Sequence, residues 1–336
     1  MSEEKKPEGP PGGFQNPLVI WREKFGKDEL KQFPQKVGKS IVLNTVEGHP
    51  TTFFCDQHQF EDLKKMDHKE GDVWIVTFMK SGTTWLQEIA KHFLGQKPED
   101  NPLQAVPWVE ISSNVPMIGV PVDVVNTIPS FEGRRFFKSH WWPQDHLTKN
   151  GKSKFIYVAR NGLDVCVSWY YHVKGFPLYE YEGDLNDYFN KFMAGELEFG
   201  SWFDHVKAWW KRSKDDDVLF LFFEHLKKDA KKEIAKIAEF VGAKVDDKKL
   251  DFIVEQTSFE AMKQRPLFYD MIRAPDAEKF LRGGRTGDGR KSLSAAQVKQ
   301  FEERCEKEFV GEYADFPWRE LMSNNKRALE DDDGGE

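Results

Sequence analysis

Asp72-Val73-Trp74-Ile75-Val76-Thr77-Phe78-Met79-Lys80-Ser81-Gly82-Thr83-Thr84-Trp85-Leu86 opens a stretch, residues 72–95, in which three kinds of sequence follow one another without a break. Val73 to Phe78 is a short apolar run of β-branched and aromatic residues, the composition of a strand buried on both faces. Lys80-Ser81-Gly82-Thr83-Thr84 is small and polar and carries one lysine. From Thr84 the apolar period becomes helical, with Leu86, Ile89, Ala90, Phe93 and Leu94 on one face and Gly95 placed as the stop. A strand, a loop of small residues and a helix start, in that order, make an anion site, because free backbone N–H groups and the positive end of the helix dipole meet in the loop. Lys80 adds a point charge, and the hydroxyls of Ser81, Thr83 and Thr84 can donate to phosphate oxygens. A βα turn capped by Ser or Thr and holding no ligand is the plainer reading. The ATP-binding pattern G-x-x-x-x-G-K-[ST] does not fit: with Gly82 as its second glycine, Thr77 stands where the first belongs and Thr83 where the lysine belongs.

The rest of the chain sets the class. Its 336 residues, 39% hydrophobic with 11 Trp and 28 Phe, supply an ample core, and a single large domain is the simplest count. A formal net charge of −7 argues against nucleic-acid and anionic-membrane partners, so a bound anion has to be met by a local cluster of positive charge. Cys55, Cys166 and Cys305 are widely spaced and form no C-x-x-C, which suggests neither a disulfide framework nor zinc and points to the reducing cytoplasm. The start of the chain has no apolar signal core, and the run Val218 to Phe223 is too short to span a bilayer. Residues 1–17, rich in Pro, Gly and charge, and the acidic residues 326–336 are expected to be disordered tails around one domain at 18–325.

Within that domain, strand-like runs at Val73 to Phe78, Arg135 to Lys138, Phe155 to Ala159 and Val218 to Phe223 alternate with helical patterns. Alternation of this kind predicts an α/β fold, a central parallel sheet flanked by helices, with ligands at the carboxyl ends of the strands. Residues 229–241 form an amphipathic helix stopped by Gly242, and Trp202, Phe203, Val206, Trp209 and Trp210 read as core.

Two further groups stand at the expected strand ends, and a third lies late in the chain. Lys138-Ser139-His140 places a lysine and a histidine two residues apart, able to face one pocket, and a neutral imidazole suits removal of a proton from a hydroxyl. Arg160 ends the third strand, with Ser168 two turns into the helix that follows; a guanidinium fork matches phosphate, although Arg160 could equally pair with Asp164. Residues 280–290 form a glycine-arginine loop, including Arg282, Gly283 and Gly284, that can approach an anion closely.

Taken together, these residues resemble the cytosolic sulfotransferases, which use 3′-phosphoadenosine 5′-phosphosulfate as sulfuryl donor. The resemblance runs from about Lys39 to Phe316 and is carried by Lys80-Ser81-Gly82-Thr83-Thr84-Trp85, the Lys138-x-His140 pair, Tyr157-Val158-Ala159-Arg160-Asn161 with Ser168, Gly200-Ser201-Trp202 and Thr257-Ser258-Phe259, in the family's order. It implies that Lys80 contacts the bridging oxygen and its loop the 5′-phosphate, and that His140 is the general base and Lys138 a sulfuryl-oxygen ligand. By the same resemblance Arg160, Ser168 and Arg282 to Gly284 bind the 3′-phosphate, and Trp85, Thr257 and Phe259 surround the adenine. The family needs no metal.

The sequence departs from the family pattern in four places. Phe223 replaces the usual adenine-contacting tyrosine. The loop at 282–290 lacks the family's lysine and tryptophan, with Arg285 a candidate to restore the charge. The dimer motif aligns with Arg290, Ser294, Ala295 and Lys299, a basic residue replacing its final acid, so a monomer or a dimer formed by other contacts is expected. Trp141-Trp142 follows the base in place of Leu-Pro, which suggests an aromatic acceptor pocket walled by Trp108, Trp141, Tyr171 and Phe176. The expected reaction is in-line sulfuryl transfer to a small hydroxyl or amine acceptor, with phenols, alcohols and steroids first among them. The rival readings are an ATP-dependent small-molecule kinase and a non-catalytic nucleotide-binding protein.

Overall fold

Side chains alternate across a strand, so a sheet buried on both faces calls for runs of apolar residues, which residues 73–76 and 155–159 supply. The structure, a computed structural model, describes residues 38–323 apart from 42, 54, 56, 112–129, 132, 144–152, 177–178, 266–269, 271–272, 274–276 and 278. The two tails expected from the sequence lie outside the described residues. A hairpin comes first, β1 (Leu43–Val46) paired antiparallel with β2 (His49–Thr52). Its turn residues Glu47 and Gly48 both have positive φ, 50° and 79°, the backbone twist that two-residue hairpins favour. Helix α1 (Gln57–Lys64) then leads to β3 (Val73–Thr77), all of it buried.

Strand β3 is followed by α2 (Thr83–Phe93), the short α3 (Pro102–Ala105), β4 (Ser130–Phe131), β5 (Arg134–Ser139) and β6 (Lys154–Ala159). Next come α4 (Gly162–Gly175), α5 (Leu185–Ala194), α6 (Trp202–Trp210), β7 (Val218–Phe222) and α7 (Phe223–Lys228). The chain continues through α8 (Ala230–Val241), α9 (Asp247–Gln256), α10 (Phe259–Gln264), α11 (Asp288–Ser292) and α12 (Ala295–Glu308). The sheet order is β4-β5-β3-β6-β7, parallel throughout except for the β4–β5 hairpin.

Two apolar layers cover this sheet. Val73, Ile75, Ile156, Val158 and Leu221 pack with Leu86 and Ile89 of α2 and Ile234 and Ile237 of α8. Trp74, Val76, Phe155 and Tyr157, from the alternate positions, pack with α4, α6 and α12 through Leu163, Trp202, Trp209 and Phe301. The expected α/β fold is therefore the one observed, with helices on both faces of a central parallel sheet.

Local signals act as expected at several element ends. Asn161 caps α4 by accepting from the Leu163 N–H, Asp229 caps α8 from the Lys232 N–H, and Gly242 ends α8 in the left-handed region. Strand β7 stops one residue earlier than the apolar run predicts, because Phe223 begins α7.

Candidate active site

Because β5, β3, β6 and β7 are parallel neighbours, the residues leaving their carboxyl ends meet along one rim. Register pairs Val76 with Ser139 and Thr77 with Val158. The chain thus delivers His140 from β5, the 79–84 loop from β3, Arg160 from β6 and Phe223 from β7 to adjacent places. All these segments line one cavity.

The loop after β3 is bent by two left-handed residues, Lys80 with φ 65° and Gly82 with φ 106°. A Cβ on Gly82 would stand 2.9 Å from the Phe223 ring, so glycine is required there by both conformation and space. The Lys80 Nζ lies 3.9 Å from the Phe280 ring centroid. Burial, with Arg273, Lys138, Arg160 and Arg282 nearby, holds its pKa well below the usual lysine range. Thr83 and Thr84 begin α2 and line the cavity, where the N–H groups of a first helical turn are free to bind an anion. Ser81 is fully buried behind the loop, and its Oγ has no partner among the described residues.

His140 is held by the same strand end. Its Nδ1 lies 2.8 Å from the Thr77 carbonyl oxygen, which can only accept, so Nδ1 carries the proton and Nε2 the lone pair. Thr77 Oγ1 is 3.3 Å from the same nitrogen and 2.6 Å from Thr83 Oγ1, tying the imidazole to the loop. Burial and the nearby Lys138 keep His140 well below the ordinary histidine pKa, and it is neutral. Its ring meets Trp108 edge-on at 5.0 Å and Phe199 at 5.4 Å.

Behind it, Glu110 accepts from the Ser139 hydroxyl and, at 3.0 Å, from the His140 N–H. Burial pushes this carboxyl up to about 7. Lys138 lies with its Nζ 3.9 Å from the Trp108 ring centroid, and burial brings it down to about 7.

On the other side of the loop, Arg160 donates at 3.1 Å to both the Lys80 and the Arg285 carbonyls and stacks its guanidinium 4.3 Å over Phe223. Its Nε has no partner among the described residues, and Asp164 is only at ion-pair limit, 4.0 Å away. Asp164 instead accepts from the N–H groups of Gly287 (2.9 Å) and Gly289 (2.7 Å), anchoring the glycine-arginine loop to α4. Arg282 pairs with Asp288 at 2.6 Å, lies over the Tyr171 ring at 4.6 Å and faces the cavity with Gly283 and Gly284. Trp85 meets Phe223 edge-on at 5.7 Å, and Thr257 and Phe259, at the turn between α9 and α10, line the same end.

The cavity therefore gathers Lys80, Gly82, Thr83, Thr84, Trp85, Trp108, Lys138, His140, Arg160, Ser168, Phe223, Thr257, Phe259 and Arg282 to Gly284. Trp141 is elsewhere: fully buried, its ring lies 4.7 Å from Phe60, and its carbonyl accepts from Trp209 Nε1 at 3.1 Å, within the core. Tyr171 reaches the site only as the platform under Arg282, and Phe176 only by stacking on His172. Also lining the cavity are His172 and Lys227, which sequence reasoning passed over, and Phe280 and Asp288, which it named only within the glycine-arginine loop. Spacing held a signal for two of them, since His172 follows Ser168, and Lys227 follows Phe223, by one helical turn.

Residues 70–317 match the family described as the sulfotransferase domain. This chain belongs to that family. It is 35% identical to mouse sulfotransferase 1B1 over 82% of this chain and 94% of the relative, and 33% identical to human sulfotransferase 1C2 over 83% and 97%. Among solved structures, mouse sulfotransferase SULT7A1 complexed with PAP superposes with a TM-score of 0.68 at 24% identity, covering 86% of this chain and 99% of that one. Retinol dehydratase in complex with androsterone and PAP gives 0.67 at 21%, covering 83% and 91%. These two share the fold of the sulfotransferase described here.

Proposed function

We propose that this sulfotransferase moves the sulfuryl group of 3′-phosphoadenosine 5′-phosphosulfate to a hydroxyl of a small apolar acceptor, in line, with His140 as the base. One observation carries the reading: the ends of three adjacent parallel strands deliver Lys80, His140 and Arg160 to one cavity. The residues suit a multiply charged nucleotide. Lys80, Lys138, Arg160 and Arg282 face the same space, the Arg160 Nε is buried without a partner among the described residues, and Trp85 and Phe223 offer aromatic faces to a base.

In this reading Thr83 and Thr84, with the loop N–H groups, hold the 5′-phosphate, Arg160, Ser168 and Arg282 hold the 3′-phosphate, and Lys138 meets the sulfuryl oxygens. His140 Nε2 takes the acceptor's O–H proton as the acceptor oxygen bonds to sulfur. The bond from sulfur to the bridging oxygen breaks, and its electron pair leaves on the phosphate, beside Lys80. Positioning and charge stabilisation do this work, as in phosphoryl transfer.

The free, buried cysteines support a cytoplasmic setting for this reaction. Among the described residues no helix is long and apolar enough to cross a membrane. In the segment aligned with the family's dimer motif, Arg290 pairs with Glu302, Ser294 caps α12 and Lys299 lies 3.6 Å from Glu303, all within one chain. That favours a monomer or a dimer built on another surface.

The test is transfer of labelled sulfate from the donor to a panel of phenols, alcohols, steroids and amines, without added metal. Labelled organic sulfate is expected. Turnover of ATP in place of the donor, or donor binding with no acceptor used across the panel, would contradict the proposal.

A further inference from the structure

Helix α4 sets Ser168 and His172 one turn apart on the cavity. The His172 ring is fixed by aromatic packing: it stacks on Phe176 (5.9 Å, 19°) and meets Phe280 (5.7 Å, 80°) and Tyr179 (6.3 Å, 70°) edge-on. Yet the imidazole makes no hydrogen bond among the described residues, and its Nδ1 is fully buried. His205 shows the usual arrangement, with Nδ1 2.9 Å from the Tyr157 hydroxyl and Nε2 3.1 Å from the His140 carbonyl. Nδ1 is sealed by this packing, so Nε2 is the nitrogen a ligand in the cavity can reach, and an unpaired polar atom beside a binding cavity finds its partner in the ligand.

We propose that His172 selects acceptors carrying a second hydroxyl besides the one that is sulfated. This rests on the function proposed above and names the acceptor class for the same site. Burial and the charges of Lys80, Arg273 and Lys138 disfavour the imidazolium, so His172 presents a neutral ring nitrogen, donor or acceptor according to tautomer, rather than a cation. A hydroxyl, which both donates and accepts, matches a neutral imidazole in either tautomer; a carbonyl matches only the N–H. A carboxylate finds no charge on His172 itself. Trp108, Phe280 and Met79 on the same cavity suit an apolar ring system between the two hydroxyls.

The probes are 2-naphthol and dihydroxynaphthalenes with the second hydroxyl placed around both rings. Affinity is measured by calorimetry with the desulfated nucleotide bound, and kcat/KM by sulfate transfer, for wild type, His172→Phe and His172→Asn, with thermal unfolding confirming that each variant is folded. Wild type is expected to prefer at least one diol over 2-naphthol by ~3–10-fold, the worth of one added hydrogen bond. His172→Phe should erase that preference, and His172→Asn, which keeps a donor and an acceptor, should restore part of it. A diol preference in binding that His172→Phe abolishes, in a protein that transfers no sulfate, would support this inference while overturning the function. Sulfate transfer with no diol preference, or with one that His172→Phe leaves intact, would overturn this inference while leaving the function standing.

Discussion

The carbonyl of Thr77 decides what His140 can do. By accepting from Nδ1 it leaves the Nε2 lone pair as the only basic site on the ring, and burial disfavours the imidazolium, as the proposed role of base requires. In the proposed mechanism Lys138 has the opposite need, since it would serve the sulfuryl group only when charged. Burial brings its pKa down to about 7, so its charge is weakly held near neutral pH. An incoming anion favours the charged form, so donor binding should take up protons and weaken as pH rises through about 7. Calorimetry at pH 8 in two buffers of different ionisation enthalpy should show net proton uptake; affinity that stays flat from pH 6 to pH 9, or proton release, would count against a charged Lys138 in the complex.

At the scale of elements, the site is a loop packed against a neighbouring helix start. Gly82 holds the left-handed turn and leaves room for the Phe223 ring. Gly82→Ala should therefore cost roughly 1–3 kcal/mol of stability or shift the loop to relieve the strain. Thermal unfolding with and without the desulfated nucleotide checks this: a lower midpoint and reduced nucleotide protection are expected, and wild-type values in both would refute the packing argument. Much of this level was legible beforehand, because the apolar run of β3, the small residues of the loop and the period of α2 are local signals. The β1–β2 hairpin was not, as Leu43–Val46 and His49–Thr52 are short and half polar. Trp141 resisted reading for another reason: adjacency to the base says nothing about which side of the chain a ring packs on, and here it enters the core. His172 was hidden because an isolated histidine in an aromatic helix reads as packing until its lack of a hydrogen bond among the described residues is seen.

The whole molecule resolves the conflict between an acidic chain and an anionic donor. The chain carries a net charge of −7, while the strand ends and the glycine-arginine loop concentrate Lys80, Lys138, Arg160 and Arg282 on one cavity. A parallel sheet makes this possible, since its strands all end on the same rim and residues far apart in sequence become neighbours. The central claim is that this rim performs base-assisted sulfuryl transfer rather than simply holding a nucleotide. Single-turnover sulfate transfer at saturating donor, compared between wild type and His140→Ala, addresses it directly. The account predicts a fall of ~10²–10⁴-fold in the transfer rate, with affinity for the desulfated nucleotide nearly unchanged. A variant that transfers sulfate at close to the wild-type rate would contradict it.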